Sequence, residues 1–293
     1  MVLGHESSGI VDDCGSDVIT LKIGDRVALE PGDECHTCHF CRKGKYNLCK
    51  FMKFAATPPY DGTLSTFYCL PEDFCSFEGG ALEEPLSVAI HCLKQTNISP
   101  TTSVVIFGAG TIDLLCCAVA RTFGASTILA IDINESRLAF AEEYAATDVH
   151  RMQQGSHAEN AAKILSSFEI GEGVDVIVEA TGAESCISCG VSLMKRGGVF
   201  VQAGLGQSTI AFPVGEICSK EGVFKGSFVT GRGIMKLRLS CCGLGKLKLI
   251  ALSHTSIDLK EQKMLSRRYR SRLESSRLYM GLDLRDFRRP CVI

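Results

Sequence analysis

Apolar and polar positions follow two different rhythms along this chain. Over residues 1–75 the apolar runs are short, as in Ser8-Gly-Ile-Val-Asp12 and Asp25-Arg-Val-Ala-Leu29, and turn residues separate them. That spacing predicts an irregular β region. From Thr102 the runs lengthen into Ser103-Val-Val-Ile-Phe107, Thr127-Ile-Leu-Ala-Ile131, Val174-Asp-Val-Ile-Val178 and Gly198-Val-Phe-Val-Gln202, with amphipathic stretches between them. Strands that are apolar throughout and alternate with helices predict a parallel sheet buried on both faces, a doubly wound α/β domain. No repeat of solenoid period interrupts this order.

Composition narrows the class without changing the fold. A chain of 293 residues, 45% hydrophobic and 22% charged, can bury a sizeable core and divides naturally into two domains. Its net charge of −2 gives no reason to invoke nucleic acid. No apolar run approaches a bilayer span, and Met-Val-Leu-Gly-His-Glu has neither the basic region nor the apolar stretch of a secretory signal. A cytoplasmic protein is the expectation. The near-neutral total conceals an asymmetry: residues 234–293 hold 14 basic against 5 acidic residues, leaving 17 against 28 in residues 1–233. The basic segment lacks interleaved aromatics and a sustained amphipathic period, so it does not read as a nucleic-acid or membrane surface.

The 16 cysteines would suggest disulfides in a small secreted chain, but in a long chain of this pattern reduced thiols and metal ligands are the expectation. Four of them form Cys35-x2-Cys38-x2-Cys41-x7-Cys49, bounded by Pro31-Gly32 and Lys43-Gly44. Four thiolates at that spacing can wrap one ion tetrahedrally, which closes the coordination sphere and makes the site structural. His36 and His39 interleave with the thiols and compete as ligands on spacing alone. The remaining twelve cysteines read as small apolar residues or incidental thiols.

Two further motifs carry chemistry. Gly4-His5-Glu6-x2-Gly9-x5-Gly15-x2-Val18 sets an imidazole and a carboxylate side by side in a frame of glycines, followed by Gly24-Asp25-Arg26-Val27. Val104-Val-Ile-Phe-Gly108-Ala-Gly110-Thr-Ile-Asp113 runs a strand into a helix through a Gly-x-Gly turn, and Asp132 ends the next apolar run, 22 residues after Gly110. Turn amides and a helix N-terminus suit a pyrophosphate, and an acidic residue at that distance accepts ribose hydroxyls. Because a carboxylate there repels a 2′-phosphate, NAD is favoured over NADP.

Together these motifs resemble the zinc-containing medium-chain alcohol dehydrogenases. The runs Phe54-Ala-Ala-Thr-Pro-Pro-Tyr-Asp-Gly-Thr63, Tyr68-Cys-Leu-Pro-Glu-Asp-Phe-Cys75 and Glu84-Pro-Leu-Ser-Val88 are similar to the polyol (sorbitol and xylitol) branch, over residues 1–228. The resemblance implies a partial GroES-like β catalytic domain with a zinc lobe at 1–95, a Rossmann NAD-binding domain at 96–233 and a divergent basic segment at 234–293. It names Cys35, Cys38, Cys41 and Cys49 as ligands of a structural zinc, and His5, Glu6 and Glu84 as catalytic residues and ligands or close partners of a catalytic zinc. For the dinucleotide it names Gly108, Gly110 and Asp132, with Arg137 flanking the adenosine. It further implies a polyol substrate oxidised to a ketose, xylitol to D-xylulose, and a homo-oligomer, a tetramer. Sorbitol or L-arabinitol dehydrogenase, or a zinc- and nucleotide-binding remnant without turnover, are the alternatives.

The chain also departs from the family pattern. Asp113 replaces the fingerprint's third glycine, bringing bulk and negative charge close to the cofactor. Val229-Thr230 stands where an arginine–tyrosine pair is expected, and the family's opening segment, with its zinc-ligating cysteine, has no counterpart. These departures lead to the expectation of a weakened catalytic zinc and little or no turnover. The run Arg267-Arg-Tyr-Arg-Ser-Arg272 reads as a product of a reading-frame or splice change.

Overall fold

The structure is a computed structural model that describes residues 1–71, 75–76, 80–168, 170–229 and 290–292. The expectations for 234–289 therefore lie outside the described residues. Of those described, 1–31, 55–82 and 290–292 form one compact unit, and 32–54 with 83–229 form the other. The cysteine segment thus clusters with the parallel sheet, and the division falls after Leu82, earlier than the sequence-based boundary at 95. The reason is α2 (Glu83–Lys94). Its Leu86, Ala89, Ile90 and Leu93 are completely buried, and it packs on α3 (Thr111–Phe123) of the same unit.

In the first unit, β1 (Ser8–Ile10) pairs antiparallel with β3 (Arg26–Leu29), which pairs with β7 (Cys75–Ser76). A second small sheet sets β14 (Pro290–Val292) between β2 (Asp13–Cys14) and β6 (Cys69–Pro71). Val11, Leu21, Val27, Leu29 and Leu70 make the core. These strands are only two to four residues long, as the short apolar runs and frequent turn residues require.

In the second unit, β8 (Ser103–Phe107), β9 (Thr127–Asp132), β10 (Asp148–Arg151), β11 (Val174–Glu179), β12 (Met194–Gln202) and β13 (Val223–Gly226) form one parallel sheet in the order β10-β9-β8-β11-β12-β13. The strand order reverses between β8 and β11, and ligands of such sheets bind outside the carboxyl ends of the strands at that switch point. The four long apolar runs are the four central strands, as their continuous hydrophobicity predicts. The edge strands β10 and β13 escape the apolar-run criterion because each has only one covered neighbour. In β10 no residue is fully buried, so its sequence is Asp148-Val-His-Arg151 rather than an apolar run.

Helices α4 (Glu135–Tyr144), α5 (His157–Ser167) and α6 (Glu184–Leu193) complete the layers. Each start has a local cause. The Asn134 side chain accepts from the Ser136 and Arg137 amides, and Ser156 exchanges capping bonds with Glu159. A Cβ on Gly190 of α6 would press on Phe200, Ile177 and Phe107, so this helix lies against the sheet at backbone distance. Helix α7 (Val214–Ser219) precedes β13. No helix among the described residues is long and apolar enough to cross a membrane.

Candidate functional site

The cysteine lobe is closed by β4 (Gly32–Asp33) pairing with β5 (Lys53–Phe54), a junction that the Lys53–Asp33 ion pair reinforces at 3.5 Å. Between them α1 (His39–Arg42) and a 3-10 turn at Tyr46–Leu48 fold the chain back on itself. Cys41, Cys49 and Tyr46 are buried at the centre. The Asn47 amide donates to the Phe228 carbonyl at 2.9 Å, tying the lobe to the segment after β13.

This path brings Cys35, Cys38, Cys41 and Cys49 together, with all four sulfurs within 4.8 Å of one another. The Cys38–Cys41, Cys35–Cys49 and Cys35–Cys41 separations are 3.4, 3.6 and 3.9 Å. Ligands ~2.3 Å from a tetrahedral ion stand about 3.8 Å apart. His36 is not part of this group: its Nδ1 lies 3.5 Å from the Glu34 carboxylate. His39 is exposed at the start of α1.

The electrostatics of the lobe fit a cation. The Thr37 amide and hydroxyl hold the Cys35 thiol down to about 6, and the Cys41 amide lowers Cys38. Burial, followed by the neighbouring sulfurs, pushes Cys41 up to about 12. Four sulfurs this close cannot all ionise unaided, and a divalent ion removes the conflict.

In the first unit, Val2–Gly4 lies against residues 61–64. Gly62 N–H donates to the Val2 carbonyl at 2.8 Å, Leu64 N–H to Leu3 at 2.9 Å and Thr63 N–H to Gly4 at 2.9 Å. A Cβ on Gly62 would strike the Leu3–Gly4 backbone, and Gly4 itself has φ +98°. Both glycines are therefore fixed by geometry, and the strap they form presents His5 and Glu6 on the surface just before β1. Glu84 stands in the first turn of α2 in the second unit, half-buried, with its carbonyl accepting from Ser87 Oγ at 2.6 Å.

At the switch point of the sheet, β8 ends in Phe107 and the chain turns through Gly108, at φ +112°, into α3. Asp132, at the end of β9, accepts from the Ala109 amide at 2.8 Å through Oδ2 and from Asn134 N–H at 2.8 Å through Oδ1. Arg137 is exposed in the first turn of α4. Asp113 does more than crowd the helix–strand contact. Its Oδ2 accepts from the Gly110 amide at 2.8 Å, its carboxyl lies where a Gly108 Cβ would be, and it is 7% exposed.

Sequence reasoning missed Glu179. Completely buried at the end of β11, its carboxylate accepts from the Thr181 amide at 2.8 Å, the Gly182 amide at 3.0 Å and Gln202 Nε2 at 2.5 Å, and from the Thr181 hydroxyl. It shapes the loop that follows β11 on the same edge of the sheet as Gly108 and Asp132. The available signal was an acidic residue closing an apolar strand just ahead of Ala-Thr-Gly.

Comparison with known proteins agrees with this architecture. Residues 1–77 match the alcohol dehydrogenase GroES-like domain and residues 111–242 the zinc-binding dehydrogenase domain. D-xylulose reductase A of Aspergillus oryzae is 44% identical over 291 residues, covering 97% of this chain and 81% of the relative. Among solved structures, an Escherichia coli oxidoreductase/dehydrogenase of unknown specificity superposes with a TM-score of 0.79 at 30% identity, covering 85% of this chain and 72% of that one. L-Idonate 5-dehydrogenase of E. coli gives 0.75 at 27% identity, covering 84% and 72%. With the paired domains, the parallel sheet and relatives of this identity in view, the chain belongs to the zinc-binding alcohol dehydrogenase family.

Proposed function

We propose that this protein is a zinc-dependent polyol dehydrogenase that interconverts a secondary alcohol of a polyol and a ketose with NAD as hydride carrier, xylitol and D-xylulose being the pair. The observation that carries the reading is 44% identity to a D-xylulose reductase over nearly the whole chain. When bound, zinc and the dinucleotide supply a Lewis acid for the alcohol oxygen and an acceptor for its hydride.

The chain's own residues then have distinct tasks. Cys35, Cys38, Cys41 and Cys49 hold a structural zinc in a closed site. His5, Glu6 and Glu84 offer an imidazole and two carboxylates, a donor set that zinc accepts while leaving room for substrate oxygen. Asp132, at the end of β9, would accept the adenosine ribose hydroxyls and disfavour a 2′-phosphate, with Arg137 in the first turn of α4 beside the adenosine. The pyrophosphate seat fits less well, because Asp113 already holds the Gly110 amide.

The test is NADH formation, followed by absorbance on xylitol, sorbitol and L-arabinitol with zinc present. Slow oxidation of xylitol, with NAD⁺ in preference to NADP⁺, is expected, since Asp113 and the other departures from the family pattern weaken the cofactor seat and the catalytic zinc. Failure of all three polyols, with zinc and NAD⁺ demonstrably bound, would favour a zinc- and nucleotide-binding protein without turnover.

A further inference from the structure

We propose that Asp113 gates the dinucleotide pocket: its carboxylate occupies the turn that a pyrophosphate needs, so the dinucleotide binds the protonated carboxyl and one proton is taken up from solvent on binding. The inference rests on the dinucleotide-binding reading above and deepens it.

The argument begins with the amides. In a strand–turn–helix of this type the second glycine lets the backbone approach the pyrophosphate, and the helix N-terminus supplies N–H donors and a positive dipole end. Here that dipole end has an anion built in. Asp113 sits in the first turn of α3 and takes the Gly110 amide at 2.8 Å, while Asp132 takes the Ala109 amide at 2.8 Å. The Asp113 carboxyl lies against Gly108, filling the cleft of the turn, and its Oδ1 has no hydrogen-bond partner among the described residues. A 93% buried side chain with an unpartnered oxygen in an anion-binding turn is a stand-in for the anion itself.

The surroundings oppose its charge. Asp132 from β9 and Glu179 from β11 face it as carboxylates, and the Cys92 thiol of α2 and Cys116 and Cys117 of α3 feel its field. Helix α4, packed on α3, carries Glu135, which is paired with Arg151, and Arg137. Strand β8 contributes only the apolar run that ends at Phe107. Burial first, then Glu179 and Asp132, push the Asp113 carboxyl up to about 7, and the Gly110 amide offsets only part of this. A pyrophosphate would add negative charge at the same spot and raise it further. Protonation thus removes the repulsion.

The test is NAD⁺ binding to the whole chain by calorimetry at pH 6, 7, 8 and 9, in buffers of different ionisation enthalpy. With one linked proton, Kd should be nearly flat below pH 7 and rise about tenfold per unit above it, with about one proton taken up per NAD⁺ at pH 8. Asp113→Asn keeps an acceptor for Gly110 and should abolish both the pH dependence and the proton uptake. Asp113→Gly should bind more tightly at every pH. A pH-independent Kd in the parent chain, or a pH dependence that survives in Asp113→Asn, overturns the proposal while leaving a dinucleotide site in place. Absence of NAD⁺ binding in all three proteins, with folded spectra, overturns the dinucleotide reading and the gate with it.

Discussion

The cysteine lobe and the Gly-x-Gly turn are both proposed as sites for an ion, and they are prepared in opposite ways. In the lobe, four donors converge within 4.8 Å, and burial followed by the neighbouring sulfurs opposes ionisation of Cys41, a conflict that a cation would remove. In the turn, backbone donors that would receive an anion are already held by Asp113 and Asp132, beneath a third carboxylate, Glu179. One site gains from its ligand everything that its own charges lack. The other must first give up an internal contact. A motif therefore shows where donors lie, and only the three-dimensional arrangement shows whether they are free.

The sharpest way to break the comparison is to remove a lobe donor. The chain as purified should carry about one tightly held zinc in a closed four-thiolate site. Cys38→Ser should lower zinc affinity by more than about 100-fold, beyond the ~10–100-fold typical of losing an outer hydrogen-bond partner. Elemental analysis after dialysis against a mild chelator checks this, and full retention of zinc by the variant would show that the lobe does not work as described.

Next in size is the cost of the buried carboxyl. An acid whose folded pKa lies above its unfolded value binds more protons when folded, so its contribution to stability is present below the unfolded value and lost as pH rises through the folded one. For Asp113 that window runs from the ordinary carboxylate range up to about 7. Asp113→Asn should raise unfolding free energy by roughly 2–4 kcal/mol at pH 8 and by about zero near pH 4. Denaturant titrations at the two pH values decide it. An equal effect at both would assign the change to packing rather than charge.

Asp132→Ser is the smallest and most specific change. It removes the carboxylate proposed to face the ribose and should narrow the proposed preference for NAD⁺ over NADP⁺ by about tenfold, or ~1.4 kcal/mol. Because Asp132 also raises Asp113, the same variant should move the midpoint of the pH-dependent binding downward. Tighter binding of NADP⁺ by the unaltered chain would remove Asp132 from its assigned role.

How much of this was legible depended on distance along the chain. The lobe was readable because its donors lie within fifteen residues and are bounded by glycine-containing turns. The four central strands were readable because each is buried on both faces. Strands β10 and β13 were not, since an edge position lets polar residues into the run. His5 and Glu6 were found as a pair, but the reason for the glycines around them lies in the docking of Val2–Gly4 on residues 61–64, which no local pattern contains. Asp113 stood out as a break in the fingerprint. Its bond to Gly110 is local to the first turn of α3, but the pressure from Asp132 and the part played by Glu179 come from strand ends that only the folded sheet brings together.

The most direct test of the account is a ¹³C carboxyl titration of the dinucleotide-free chain, with the Asp113 signal assigned by its absence from Asp113→Asn. The account predicts a midpoint near about 7, moving upward when NAD⁺ is added. A midpoint in the ordinary range near ~3.9, unmoved by NAD⁺, would contradict it.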